Sequence, residues 1–172
     1  LVYDPVAYSV WAPGGWLARI GVRDFGGGLA VHATAGISAL ACATMLGKRR
    51  GLNTESVQPH NLTLTAIGTA LLWFGWFGLN TGRGWALTTS TAAAFTSTIF
   101  GGAAGLIGWS AIERLQKGRS TLLGTCTGAV AGLAGVSAAA GFVTPLVAAA
   151  IGFAAAAACH QAVAAKRWFG YD

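Results

Sequence analysis

Long apolar runs, separated by short polar segments, form the main pattern of this chain. The runs cover residues 24–47, 61–79, 87–115, 121–139 and 145–165. Each is close to the roughly 20 apolar residues that a helix needs to cross the hydrocarbon core of a bilayer. Residues 1–12 are a further apolar stretch, which ends at the helix-breaking sequence Pro13-Gly14-Gly15. The pattern predicts an all-α polytopic transmembrane helical bundle, with about five complete spans and a partial N-terminal one.

Basic residues mark the ends of alternate apolar runs. They follow the first, third and fifth runs as Lys48, Arg49 and Arg50, then Arg114, Lys117 and Arg119, and finally Lys166 and Arg167. Loops rich in Lys and Arg face the cytoplasm. We therefore expect 47–60, 114–120 and the C-terminal end to be cytoplasmic, and 11–24 and 80–84 to be external. Glu113 ends the third run beside Arg114 and is expected at the interface rather than buried.

The composition is typical of a membrane protein and excludes several classes of function. Charged residues make up 9% of the chain, whereas soluble domains average about 25%. The net charge of +6 is spread over the ends of the apolar runs and forms no nucleic-acid-binding face. The five acidic residues are unpaired, and Gly26-Gly27-Gly28 lacks the frame of a phosphate-binding loop. We expect a lipid bilayer as a partner, and no enzyme activity, cofactor, metal site or nucleic-acid partner.

His32 is an ionisable residue near the middle of the first long run. It follows Asp24 by eight positions, which places it about 12 Å into a helix that begins there. Asp24 is predicted to cap this helix by accepting hydrogen bonds from the N–H groups of Gly26 and Gly27. A titratable side chain at this depth indicates a functional site by default. The alternative is a core histidine whose hydrogen bonds are satisfied internally.

Aromatic residues are concentrated in the second half of the run 61–79. Trp76 lies four residues before the external end at Asn80, at a depth comparable to that of His32. Such aromatics usually pack or anchor a helix at the interface, but a cation can also lie against an indole face. Trp11, at the Pro13 break, allows the same two interpretations: an interface anchor or a ligand contact.

Several strings of the chain resemble motifs of the ammonium transporter family. They are DFGGGLAVHATAG, GKR, PHNL, GTALLWFGWFGLNTG and LLGTCTGAVAGLAGVSAAAGF, and they occur in the family's order along essentially the whole sequence. The resemblance implies a homotrimer in which each subunit has eleven helices and a narrow hydrophobic pore. Residues 1–172 would be a fragment of that single membrane domain, from the end of its fourth helix to its ninth. It leaves open a cytoplasmic regulatory protein as a further partner.

The resemblance also implies roles for individual residues. His32 matches the first of two pore histidines, Trp76 the tryptophan that lines the pore beside them, Asp24 the acidic residue that supports the entrance, and Trp11 the tryptophan that recruits the cation. The implied function is transport of ammonium or ammonia across the cytoplasmic membrane, with deprotonation of the cation at the entrance. A bare charge is costly in a dry pore, and an imidazole can accept the proton.

Three features depart from the family pattern: two residues of this chain and the absence of the second pore histidine from it. Leu79 stands where a gating phenylalanine is usual, and Arg83 stands where a serine helps to hold the cation. An arginine there would repel ammonium by about 1 kcal/mol at roughly 4 Å in water. The resemblance implies that the second pore histidine lies in a helix after Asp172, and His160 does not match its motif. Two other functions stay open: a non-transporting ammonium sensor of the same fold, and a generic helix-packing membrane subunit.

Overall fold

A computed structural model describes residues 1–49, 58–82 and 87–169. These residues form helices and turns and contain no strand. The helices are α1 (Tyr3–Trp11), α2 (Trp16–Arg19), a π-helical stretch (Gly28–Ala33) that continues into α3 (Thr34–Leu46), α4 (Leu62–Thr81), α5 (Thr89–Lys117), α6 (Leu122–Ser137) and α7 (Pro145–Phe169). We call Gly28–Ala33 the π-segment.

Four of the helical segments described are long and apolar enough to cross a membrane. They are Gly28–Leu46, Leu62–Thr81, Thr89–Lys117 and Pro145–Lys166. The all-helical membrane fold predicted from the sequence is therefore confirmed. The predicted loop 114–120 is shorter than expected, because α5 continues to Lys117.

The predicted span 121–139 is the shorter helix α6, which has 16 residues and ends at Ser137. The terminal carbonyl groups of a helix lack partners within the helix and need donors from elsewhere. Here Phe25 N–H donates to Ala138 O at 2.9 Å, and Gly26 N–H donates to Ser137 O at 2.8 Å. The end of α6 is thereby joined to the segment that precedes the π-segment.

Glycines on facing helices let α5, α6 and α7 pack backbone to backbone. A Cβ atom added to Gly105 of α5 would collide with Gly128 O and the backbone of Gly132 on α6, and one added to Gly152 of α7 would collide with Gly101. Small residues at such positions are the usual means of close helix contact in membranes. Gly124, Gly128 and Gly132 recur at every fourth position, a spacing that predicts such a packing face on one side of α6, and the structure confirms it.

Glu113 is buried, with 5% of its surface exposed, so the prediction that it is not buried is wrong. Its Oε2 accepts from Thr121 N–H at 2.8 Å and from Thr121 Oγ1 at 2.9 Å, and Lys117 Nζ donates to Oε1 at 3.1 Å. Gly118 ends α5 with a φ of 75°, a conformation that favours glycine and reverses the chain at once. This tight reversal brings the N-terminus of α6 onto the carboxylate.

The helices α3 and α4 are largely exposed. No residue of α3 is buried, and α4 buries only Trp76 and Asn80. Asn61 caps α4 by accepting from Leu64 N–H at 2.9 Å. The inner side of α4 faces α5 and α6, and it carries Trp76 towards the end of α6. The candidate site lies where α4, α6 and the π-segment meet.

Candidate functional site

Asp24 organises the entry into the π-segment. Its side chain is buried, and its Oδ1 accepts from Gly27 N–H at 3.0 Å, while Oδ2 accepts from Leu29 N–H at 3.0 Å and from Ala30 N–H at 2.8 Å. The predicted capping bond from Gly27 is therefore confirmed, the one from Gly26 is wrong, and Leu29 and Ala30 are partners that the sequence did not indicate. Gly26 N–H donates to α6, and the helical stretch begins at Gly28 rather than directly after Asp24.

Local backbone conformation explains that difference. Gly27 has a φ of 90°, which a residue with a side chain rarely adopts. After it, His32 N–H donates to Gly27 O, five residues back, at 3.0 Å. This bond is typical of a π-helical turn, which contains one more residue than an α-helical turn and often occurs at functional sites. His32 lies in this widened turn.

The structure brings together His32 and Trp76, which the sequence analysis singled out separately. Their ring centroids are 4.8 Å apart and the ring planes meet at 30°. His32 is half-buried, whereas Trp76 has 9% of its surface exposed. The indole face therefore forms one wall beside the imidazole, and part of the imidazole stays accessible.

Ser137 is a site residue that the sequence analysis missed. This fully buried side chain at the end of α6 lies 3.1 Å from His32 Nε2, measured from its Oγ. Trp76 Nε1–H donates to the same oxygen at 2.9 Å, and Oγ donates to Leu133 O at 2.8 Å. A hydroxyl in an apolar run usually bonds only to its own helix. The sequence therefore gives no sign that Ser137 contacts residues of other helices.

Trp11 lies beside Asp24. Its Nε1–H donates to Asp24 O at 2.8 Å. Both residues line an open cavity of about 550 Å³ together with Arg23, Phe25 and other residues. The hydrogen bond fixes the orientation of the indole, and the role of Trp11 in recruiting a cation stays a prediction.

Leu79 lies on the outer face of α4, with 42% of its surface exposed. With Trp76 it lines an apolar groove of about 530 Å³, whose other lining residues are Gly68, Leu71, Leu72 and Gly75. Arg83 lies outside the described residues. The roles predicted for both positions stay predictions.

A second buried polar pair supports the same region. Asn80 is fully buried at the end of α4, and its Nδ2 donates to Thr98 Oγ1 of α5 at 2.9 Å. A Cβ atom on Gly26 would collide with Asn80 Oδ1. His160 is also buried, but it contacts Trp109 of α5, with ring centroids 5.0 Å apart. Within the described residues, no group of three or more His, Cys, Asp or Glu side chains is arranged to hold a metal ion.

Comparisons with known sequences point to one family. The model of the Ammonium Transporter Family matches residues 1–172. The chain is 44% identical over 173 residues to a Bacillus subtilis protein named ammonium transporter, with 100% of this chain and 42% of that protein covered. It is 44% identical over 171 residues to ammonium transporter Amt1 of Archaeoglobus fulgidus, covering 94% of this chain and 41% of that protein.

Solved structures share the fold as well. Candida albicans Mep2 superposes with a TM-score of 0.92 at 35% identity, covering 99% of this chain and 39% of that one. A structure titled "Sensor Amt Protein" superposes with a TM-score of 0.86 at 27% identity, covering 94% and 43%. The chain spans about two fifths of the length of the curated relatives it matches. Those relatives are named as transporters rather than enzymes, and the match along the whole sequence shows that this chain belongs to the ammonium transporter family.

Proposed function

We propose that this chain is part of a transporter that moves ammonium or ammonia across the cytoplasmic membrane through a hydrophobic pore. His32 takes up the proton of the cation, and neutral ammonia continues along the pore. The observation that carries the proposal is the imidazole of His32, held by Ser137 at 3.1 Å against the indole of Trp76 and still partly accessible.

Physical chemistry favours a proton exchange at such a position. Transferring an ion from water into a low-dielectric interior costs several kcal/mol or more, even after the protein relaxes. Neutral ammonia avoids most of this cost. An imidazole both accepts and releases a proton near neutral pH, and an indole face attracts a cation before it loses its proton. His32 and Trp76 together provide both functions.

The surrounding residues have supporting roles in this proposal. Asp24 fixes the backbone of the π-segment through three accepted hydrogen bonds. Trp11, bonded to Asp24 O, recruits the cation at the external mouth, and Leu79 lines the groove beside Trp76. Arg83 would reduce the affinity of the mouth for a cation because of its like charge.

The assembly and orientation belong to the same proposal. We expect residues 1–172 to form one part of a single membrane domain in a homotrimer. The Lys and Arg residues after the first, third and fifth predicted runs support a cytoplasmic location for 47–60, 114–120 and the C-terminal end. A regulatory protein would bind on that side. Residues 50–57 of the first of these loops lie outside the described residues.

The test is uptake of labelled methylammonium by cells that express the full-length protein. We expect His32→Ala to abolish selective uptake. Among the described residues, His32 is the one histidine that contacts Trp76 and Ser137, so the variant removes the imidazole that accepts the proton. His60→Ala is the matched control, since His60 is exposed just before α4 and should leave uptake unchanged. Undiminished and still selective uptake by the His32→Ala protein would refute the proposal.

An ammonium sensor is the second candidate, and its specific support is the superposition on the structure titled "Sensor Amt Protein". The identity of 27% to that structure is lower than the 44% to proteins named ammonium transporter, which favours transport. Purified full-length protein in liposomes separates the candidates. A sensor would bind ammonium, as measured by calorimetry, without carrying it across the bilayer. A transporter would show a flux of ammonium, and a helix-packing subunit would show neither binding nor flux.

A further inference from the structure

The open cavity beside Trp11 contains an arginine to which the proposed transport assigns no role. The cavity has a volume of about 550 Å³, and its wall includes Trp11, Arg23 and Asp24. Ser90 of α5 and Phe142, which follows α6, also line it. We call this space the Trp11 cavity. Among its described lining residues, Arg23 and Asp24 are the ones that carry a charge.

The guanidinium group of Arg23 is held against an aromatic face. Its Cζ atom lies 5.7 Å from the ring centroid of Phe142, within the roughly 6 Å over which a cation and a ring attract each other. Phe142 is braced by Phe25 in an edge-to-face contact, with ring centroids 5.4 Å apart and ring planes at 82°. Phe25 is fixed in turn, because its N–H donates to Ala138 O at 2.9 Å. The positive charge therefore has a defined place in the wall.

The two charges of the wall have different surroundings. Asp24 is buried, and its carboxylate accepts three backbone N–H bonds, so its charge is directed at the polypeptide backbone. Arg23 is exposed, so its charge acts on the water of the cavity. Like charges repel at close range, and dissolved salt screens this repulsion. A cation that enters the Trp11 cavity is therefore repelled by Arg23.

Arg23 also covers a surface that another cation could use. An aromatic face attracts an arginine side chain and a ligand cation by the same electrostatic force. The ring of Phe142 already carries the guanidinium of Arg23. An ammonium ion in the cavity would thus find one aromatic face covered and a like charge beside it.

We propose that Arg23 is an affinity-determining residue, a tethered cation that competes with ammonium for the Trp11 cavity and raises the KM of transport. The position of the charge stands on the contacts of Arg23. Its effect on transport rests on the proposed function, in which the cation enters beside Trp11. Because Arg23 acts on the cation before it reaches His32, we expect a change in KM with the maximal rate unchanged, the pattern of a change in binding alone.

The first test measures initial rates of methylammonium uptake by the full-length protein in liposomes. At about 0.01 M salt, where the Debye length is about 30 Å, Arg23→Gln should lower KM about threefold without changing the maximal rate. At about 1 M salt, where the Debye length is about 3 Å, the difference should largely disappear. Arg23→Lys keeps the charge and should keep a KM close to that of the wild type. An unchanged KM for Arg23→Gln at low salt would overturn the proposal.

Arg19→Gln is the matched control. Arg19 carries the same charge four positions earlier, is exposed at the end of α2 and does not line the Trp11 cavity. Its replacement should lower KM less than Arg23→Gln does. An equal decrease in both variants would mean that net charge rather than position sets KM, and it would overturn the proposal.

The second test detects the charge without any transport. Ser90→Cys places a thiol in the wall of the cavity with little change in volume, and the thiol reacts with negatively or positively charged methanethiosulfonate reagents. Rates are corrected for the native cysteines with the parent protein. We expect Arg23→Gln to lower the ratio of the anionic to the cationic reagent rate about threefold, and Arg23→Lys to leave it unchanged. An unchanged ratio in the Arg23→Gln protein would overturn the proposal.

The two tests separate this inference from the proposed function. If His32→Ala leaves selective uptake intact while Arg23→Gln shifts both KM and the reagent ratio, the proposed function fails and the role of Arg23 stands. If His32→Ala abolishes uptake while Arg23→Gln changes neither quantity, only the present proposal fails. A shifted ratio with an unchanged KM would also overturn it, because the charge would then lie in the cavity without acting on the substrate.

Discussion

Replacing Asp24 tests how the entrance of the site is built. The Asp24 carboxylate accepts three backbone N–H bonds of 2.8–3.0 Å, and only 4% of the residue surface is exposed. In Asp24→Ala the N–H groups of Gly27 and Ala30 are left buried without their acceptor, and that of Leu29 is left partly buried. A buried donor without a partner costs about 1–3 kcal/mol, so we expect about 3–5 kcal/mol of destabilisation in total.

The assay is thermal unfolding of the full-length protein in detergent, followed by methylammonium uptake in cells. Asp24→Ala should lower the unfolding temperature and abolish uptake, because the π-segment that carries His32 loses its anchor. Asp24→Asn keeps one acceptor oxygen and should fall between Asp24→Ala and the wild type in both measurements.

Asp4→Ala is the control for the loss of an acidic residue, since the Asp4 side chain is 84% exposed. It should match the wild type in unfolding temperature and uptake. If Asp24→Ala unfolds at the same temperature as Asp4→Ala and retains full uptake, the argument that the carboxylate supports the π-segment is refuted.

Two further substitutions test the helix contacts behind the site by thermal unfolding. Gly105→Ala should destabilise the protein by about 1–3 kcal/mol, because its Cβ would meet the backbone of α6, whereas Gly68→Ala meets nothing within 4 Å and should be neutral or slightly stabilising. Equal unfolding temperatures for the two glycine variants would contradict the backbone contact. Glu113→Ala should cost about 2–4 kcal/mol, because Thr121 N–H loses a buried acceptor. Lys117→Ala should cost less, about 1 kcal/mol, because the Lys117 side chain is 59% exposed and Glu113 keeps its two bonds from Thr121. A larger loss for Lys117→Ala than for Glu113→Ala would contradict this account.

The membrane-spanning helices were predictable because their signal is local. A run of about 20 apolar residues has few alternatives to a helix in a bilayer, and the small residues on one face of α6 indicated close packing in advance. The depth of His32 and Trp76 could also be estimated from their distance to the ends of their runs. That both rings face each other depends on the rotation of two helices, which the spacing of residues does not determine.

The errors came from local backbone geometry and from contacts between distant parts of the chain. Of the two partners predicted for Asp24, Gly27 is confirmed and Gly26 is wrong, because the prediction assumed an α-helix from Asp24, whereas the positive φ of Gly27 and the π-segment move the start to Gly28. Glu113 was placed at the interface because it stands beside Arg114, but the sharp reversal at Gly118 brings Thr121 N–H onto it. Ser137 was missed because its partners lie 61 and 105 positions away.

Ser137 has a mechanical consequence for the site. Its carbonyl oxygen accepts from Gly26 N–H, and its hydroxyl oxygen lies 3.1 Å from Nε2 of His32. The stretch 24–32, which bears the carboxylate and the imidazole, therefore contacts Ser137 at two points. When the end of α6 moves, both groups should move with it. We therefore expect the separation between the carboxylate and the imidazole to change little when the end of α6 moves.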